Sequence, residues 1–190
     1  MKLVNLFLFA NVKFCSFADA FLETIIMKKI CLLFFAIALC FSSYGQYVDL
    51  GLPSGTLWKD KNEEGGLYTF EQALARFGNN LPNRAQLEEL RDSCSWTWNG
   101  KGYQVVGPNG ASIFLPANGY RDCGWELHGT GLDPYSISVV SGSYWSSIRS
   151  GADAAYSLCF NANKVFMSDY GSLLCSELSV RLVVRNNKED

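Results

Sequence analysis

The helical period of this chain stops near Cys94 and does not return, and that change of pattern sets the fold class. Ahead of it, Phe70, Ala73, Leu74 and Phe77 stand at the i, i+3, i+4, i+7 spacing of one buried helix face, with Thr69 as the cap. Asn79-Asn80 breaks this helix. Asn83 starts a second one, and Gln86 three residues on completes a capping box. Leu87, Leu90 and Cys94 share its inner face, which leaves Glu88, Glu89, Arg91 and Asp92 for water. Beyond Cys94 the composition turns to aromatics, glycine and serine in short alternating runs. Residues 96–98, 103–106, 111–115, 143–145, 155–161, 164–167 and 178–184 each read as a strand. Before the helices, residues 47–52 and 56–58 form a strand pair around the Pro53-Ser54-Gly55 turn. Gly107-Pro108-Asn109-Gly110 is a second strong turn, and residues 118–135, rich in glycine and polar side chains, read as a long loop. A strand pair, two short helices and then many strands is an α+β order, not the βαβ alternation of a parallel sheet.

The first 45 residues are of a different kind. Met27-Lys28-Lys29 is a short basic segment, residues 30–41 are wholly apolar, and Ser43-Tyr44-Gly45 sets small residues at −3 and −1. This is the layout of a secretory signal peptide over 27–45, cleaved before Gln46. Twelve apolar residues fall short of the roughly 20 that a membrane helix needs, so no stable span is expected in the mature form. A second methionine heading a complete signal peptide marks residues 1–26 as an overlong gene start. If they are translated, residues 3–21 could add a membrane segment. A lipid anchor on Cys40 is disfavoured, because Leu39 is too bulky for the position before the cysteine. The mature domain is therefore 46–190, placed outside the cytoplasm: extracellular, on the cell surface or in the periplasm.

A formal net charge of −2, with the basic residues scattered, provides no electrostatic drive toward nucleic acid. The mature domain keeps four of the seven cysteines, Cys94, Cys123, Cys159 and Cys175. An exported domain permits disulfides, in three connectivities, but a chain of this length does not require them, and buried thiols remain an equal reading. No pair has Cys-x-x-Cys spacing, and His128 is the one histidine, which argues against a histidine-based metal site. No cofactor is expected.

Several phrases in order carry a family resemblance. These are residues 48–58 (Val-Asp-Leu-Gly-Leu-Pro-Ser-Gly-Thr-Leu-Trp), 81–87 (Leu-Pro-Asn-Arg-Ala-Gln-Leu), Gly107-Pro-Asn-Gly, Ile113-Phe-Leu-Pro, Gly119-Tyr-Arg, Tyr144-Trp-Ser-Ser and Ser179-Val-Arg. Together they resemble the Fibrobacter succinogenes major paralogous domain, common in exported proteins of Bacteroidetes, over essentially all of 47–185. The resemblance implies a C-type-lectin-like fold: two short helices and a many-stranded antiparallel sheet, with terminal strands paired and long loops carrying binding. The chain departs from the family between Trp58 and Tyr68, where an aromatic, glycine-rich insert is mostly missing. It also departs at Ser157, Cys159, Leu173, Leu174 and Cys175, where polar residues are usual, and at Leu182, where proline is.

Reactive groups do not converge anywhere in the sequence, and a non-enzymatic domain is expected. His128 has no orienting partner in sequence, and Glu63-Glu64 reads as a solvated turn. The lectin-like fold is shared with formylglycine-generating enzymes, but no catalytic cysteine signature carries over, and fold alone does not carry function. The Glu-Pro-Asn, Gln-Pro-Asp and Trp-Asn-Asp motifs of calcium-dependent lectins do not occur, and Asp122, Glu126 and Asp133 read as ordinary loop carboxylates. Trp58, Trp96, Trp98 and Trp145 sit in strand-like runs and are assigned to the core.

The binding candidates lie in two segments. In the 118–135 loop they are Tyr120, Arg121, Trp125 and Tyr135. In the hairpin over 147–176, alternation with Leu158 and Phe160 inward turns Ser157, Cys159 and Asn161 outward. Val165 and Met167 inward turn Phe166 and Ser168 outward, beside Asp169 and Tyr170. The expected function is recognition of an external glycan or protein. Two alternatives are a permanent envelope or fimbria-associated component and a receptor-binding protein diversified by a retroelement. The last is raised because the outward hairpin residues, with 172–176, are all reachable from asparagine codons by changing adenines.

Overall fold

The computed structural model describes residues 46–131 and 139–185; residues 1–45, where the signal peptide is expected, and the candidates Asp133 and Tyr135 lie outside the described residues. Among the described residues, fourteen short strands and two α-helices make an α+β fold dominated by antiparallel sheet. Strands β1 (Tyr47–Asp49) and β2 (Thr56–Lys59) pair around the expected turn, Tyr47 opposite Lys59. The last strand, β14 (Val183–Arg185), closes onto β2 with Val183 opposite Trp58, so the two ends of the described chain share one sheet.

Strand β3 (Tyr68–Thr69) leads into helix α1 (Phe70–Phe77), and helix α2 (Arg84–Ser93) follows a 3-10 turn. Both capping boxes form: Thr69 with Gln72, and Asn83 with Gln86. The inner face of α2 buries Leu87 and Leu90, while that of α1 buries Phe70 and Ala73 and leaves Leu74 exposed. Leu74 lines a surface depression with Ile148 instead of entering the core. The Gly107–Gly110 turn joins β5 (Gly102–Val106) to β6 (Ser112–Pro116), and β4 (Ser95–Trp98) pairs with β5. Trp58 and Trp145 are fully buried, whereas Trp96 and Trp98 are half-buried against the ring cluster of Tyr103 and Phe160.

The sheet that positions the candidate site is built on β9 (Ser141–Arg149) and β10 (Ala154–Asn161), with β11 (Lys164–Met167) and the two-residue β12 (Ser172–Leu173) on β10. The run 178–184 is not one strand. It divides into β13 (Glu177–Leu178) and β14, and the Ser179-Val180-Arg181 phrase between them is buried. Residues 118–131 are likewise not a plain loop. Strands β7 (Tyr120–Arg121) and β8 (Leu127–His128) form a hairpin, and β7 also pairs with β13. Gly119 bridges Gly142 and holds the base of this hairpin against β9. A Cβ on Gly142 would stand 2.3 Å from the Phe160 ring, so the approach requires glycine there. Among the described residues, no helix is long and apolar enough to cross a membrane.

Candidate functional site

A cavity of about 470 Å³ opens between the β7–β8 hairpin and the β9–β12 sheet. Five serines bring hydroxyls to its wall: Ser141 and Ser143 from β9, Ser168 after β11, Ser172 from β12, and Ser176. Cys159 and Asn161 from β10 add a thiol and an amide, while Tyr120, Phe166 and Leu173 supply apolar surface at the edges. Strand alternation produces this wall. Cys159 lies opposite Phe166 in the β10–β11 ladder, so both project from one face, and Leu158 and Met167 are buried on the other.

The structure therefore gathers Tyr120, Cys159, Asn161, Phe166 and Ser168 around one space. Asp169 and Tyr170 follow at the exposed corner after β11, with Tyr170 91% exposed. Ser157 must be corrected. It shares the face of Cys159, but it is completely buried, its hydroxyl 2.8 Å from that of Ser172 in β12, the strand paired beside this end of β10. Arg121 lies apart from this cavity. It points to the opposite face of the hairpin, donates to Glu177 at 2.6 Å and lines a separate cavity with Tyr68 and Arg76.

The tip of the hairpin holds Trp125, 72% exposed. Asp122 accepts the Trp125 N–H at 3.1 Å and its own N–H reaches the Glu126 carbonyl at 3.0 Å, a turn whose last residue takes the left-handed conformation. Trp125 occupies that place at φ 70°, where glycine is usual and a bulky side chain costs about 1–2 kcal/mol. The Asp122 carboxylate supports the turn, its Oδ1 accepting from Gly124 and Glu126 N–H at 2.9 Å each. These backbone donors, with the His128 ring, hold the Asp122 pKa below the usual carboxylate range.

A disulfide between Cys123 and Cys175 ties the hairpin to the segment before β13, so one of the pairings open to the sequence is made, while Cys94 and Cys159 remain thiols. Burial, reinforced by Glu89, pushes the Cys94 thiol up to about 11. Cys159 instead faces the cavity, its sulfur receiving the Ser143 hydroxyl at 3.6 Å.

Sequence reasoning missed Asp122 as a member of the wall and missed the proximity of Asp122, Glu126 and His128. The signal was present, since Tyr120 and Asp122 alternate along one strand and Glu126 and His128 along the next. Reading 118–135 as a loop concealed it. No family model, curated protein or solved structure matches this chain.

Proposed function

We propose that the chain is an exported, non-enzymatic binding module of the C-type-lectin-like class, of the kind found in the Fibrobacter major paralogous domain. Its ligand contacts are the serine-lined cavity and the aromatic side chains around it. The observation that carries this reading is the convergence of five separately placed residues, Tyr120, Cys159, Asn161, Phe166 and Ser168, on one cavity. Pairing of the first strands with the last supports the fold reading. A hydroxyl-rich wall edged by aromatic rings suits a ligand that is itself rich in hydroxyl groups and has one apolar face, as a saccharide does.

Cys159 supplies a reporter. A glycan array probed with the purified protein should return a ligand, and that ligand should protect Cys159 from alkylation, while Cys94 stays unreactive at pH 8 because its thiol is held protonated. Phe166→Ala and Tyr170→Ala should each weaken binding by about 30-fold, the loss typical of an aromatic anchor, without unfolding the chain. A ligand whose affinity is unchanged in both variants and which leaves Cys159 open to alkylation would place the binding site elsewhere.

The retroelement-diversified reading is favoured by one observation: Cys159, Asn161, Phe166, Ser168 and Leu173 all border the same cavity. Ser157 and Ser176 are buried and Cys175 is in the disulfide, so the variable set would be smaller than the sequence suggests. An imperfect gene copy differing only at adenines in the codons of those five residues would establish it. Differences spread evenly over 145–181 would remove it.

A further inference from the structure

The hairpin that walls the cavity also brings together three metal-ligating side chains. In the β7–β8 register Tyr120 lies opposite His128 and Arg121 opposite Leu127, and Asp122 meets Glu126 one step further on. With side chains alternating between faces, Tyr120, Asp122, Glu126 and His128 share one side. Arg121, on the other side, is spent on Glu177. One ligand atom from each of Asp122, Glu126 and His128 falls within 4.8 Å of the others.

We propose that Asp122, Glu126 and His128 form a binding site for a divalent transition-metal ion of the zinc class at the rim of the cavity. His128 Nε2 stands 3.2 Å from Asp122 Oδ2. Two ligands at zinc bond lengths and a tetrahedral angle lie about 3.4 Å apart, so an ion can enter with little movement of either group. The imidazole decides the metal class. Calcium and magnesium take all-oxygen shells, whereas one nitrogen and two carboxylates suit zinc and its neighbours. The His128 ring lies tilted against Tyr120, centroids 5.3 Å apart, which limits its rotation.

The cavity sets what a bound ion would face. Asp122 lines it, so the ion would sit beside the solvent space, not inside a closed shell. Three protein ligands and an open position are the arrangement in which a metal accepts an external donor, here a ligand hydroxyl or carboxylate. The site does not depend on the saccharide reading, because metal binding is read out without any ligand.

The test titrates the purified chain with Co²⁺, following the visible absorption of bound cobalt, and then displaces it with Zn²⁺. One equivalent should bind, and Zn²⁺ should raise the melting temperature by mass action. His128→Gln and Glu126→Gln should lower affinity by more than the roughly 10- to 100-fold that loss of a supporting partner alone costs. Asp122→Asn, which keeps the turn acceptor, should do the same with circular dichroism unchanged. Absence of cobalt bands at millimolar Co²⁺ overturns the proposal. So does binding that survives in His128→Gln and is lost instead when Cys94 and Cys159 are changed to serine.

Discussion

Replacing Arg181 by methionine tests what holds the centre of the fold together. Arg181 is 1% exposed, and its guanidinium reaches three oxygens. Nε and Nη2 donate to Asn62 Oδ1 at 2.9 and 2.7 Å, Nη1 donates to the Lys59 carbonyl at 2.8 Å, and Nη2 also donates to the Phe114 carbonyl at 2.6 Å. Asn62 in turn donates to the Tyr144 hydroxyl at 3.0 Å, which donates to the Pro116 carbonyl at 2.8 Å. One side chain thus links β2, the segment after it and the end of β6. Burial pulls the Arg181 pKa down, against the field of Tyr144 and Asp60, but a guanidinium stays charged at any working pH.

Methionine fills much of the same volume and relieves the cost of burying a charge, but it strands three acceptors at about 1–3 kcal/mol each. The net loss expected is about 3–5 kcal/mol, a large part of the roughly 5–15 kcal/mol that holds a domain folded. Lysine keeps the charge but has one nitrogen in place of three and cannot span all three oxygens, so about half that loss is expected. Urea unfolding followed by tryptophan fluorescence should rank the proteins wild type, Arg181→Lys, Arg181→Met, with unchanged slopes. If Arg181→Met equals or exceeds Arg181→Lys in stability, desolvation of the charge outweighs the stranded acceptors, and the reasoning is refuted.

Two further outcomes follow from the same chemistry. Burial pushes the Tyr144 phenol up to about 12, above an unfolded value near 10, so the folded state favours the protonated form. Its contribution is complete below pH 10 and is lost as pH rises toward 12, by roughly 2–3 kcal/mol. Tyr144→Phe should flatten that alkaline decline, and an unchanged decline would assign it to other groups. Reducing the Cys123–Cys175 disulfide opens a crosslink spanning 52 residues, which loop entropy values at about 4 kcal/mol. A drop in denaturation midpoint under reductant, absent in a Cys123→Ser, Cys175→Ser double variant, checks it. No drop would mean that the hairpin is held by its other contacts.

The parts of the fold that the sequence makes legible are those whose causes are local. Both capping boxes, the Pro53-Ser54-Gly55 and Gly107-Pro-Asn-Gly turns, and the inward set Leu158, Phe160 and Met167 depend on residues within a few positions of each other. Leu74 fails because a helix face tells which side packs, not how far the packing extends. Ser157 fails for a different reason: its alternation is correct, but it is buried with its hydroxyl on Ser172 of β12, a strand of two residues, too short to carry any period. The Cys123–Cys175 pairing was one of several open to the sequence, because connectivity follows from three-dimensional proximity alone.

The hairpin over 120–128 explains both what was seen and what was missed. A glycine at position 125 would have announced a three-residue turn, and the alternation on either side would then have placed Asp122, Glu126 and His128 together. The chain instead carries tryptophan at that left-handed position, at φ 70°, with its side chain largely in solvent. A bulky residue held in a costly conformation gains nothing from burial there, so the stability of the fold does not account for it. The Asp122 carboxylate beneath the turn and the disulfide from Cys123 to Cys175 brace this conformation. An indole 72% exposed on a braced turn is open to contact from outside the molecule. On the binding reading proposed above, Trp125→Ala should weaken ligand binding as Phe166→Ala and Tyr170→Ala do, and unchanged affinity in a glycan-array titration would remove Trp125 from the contact set.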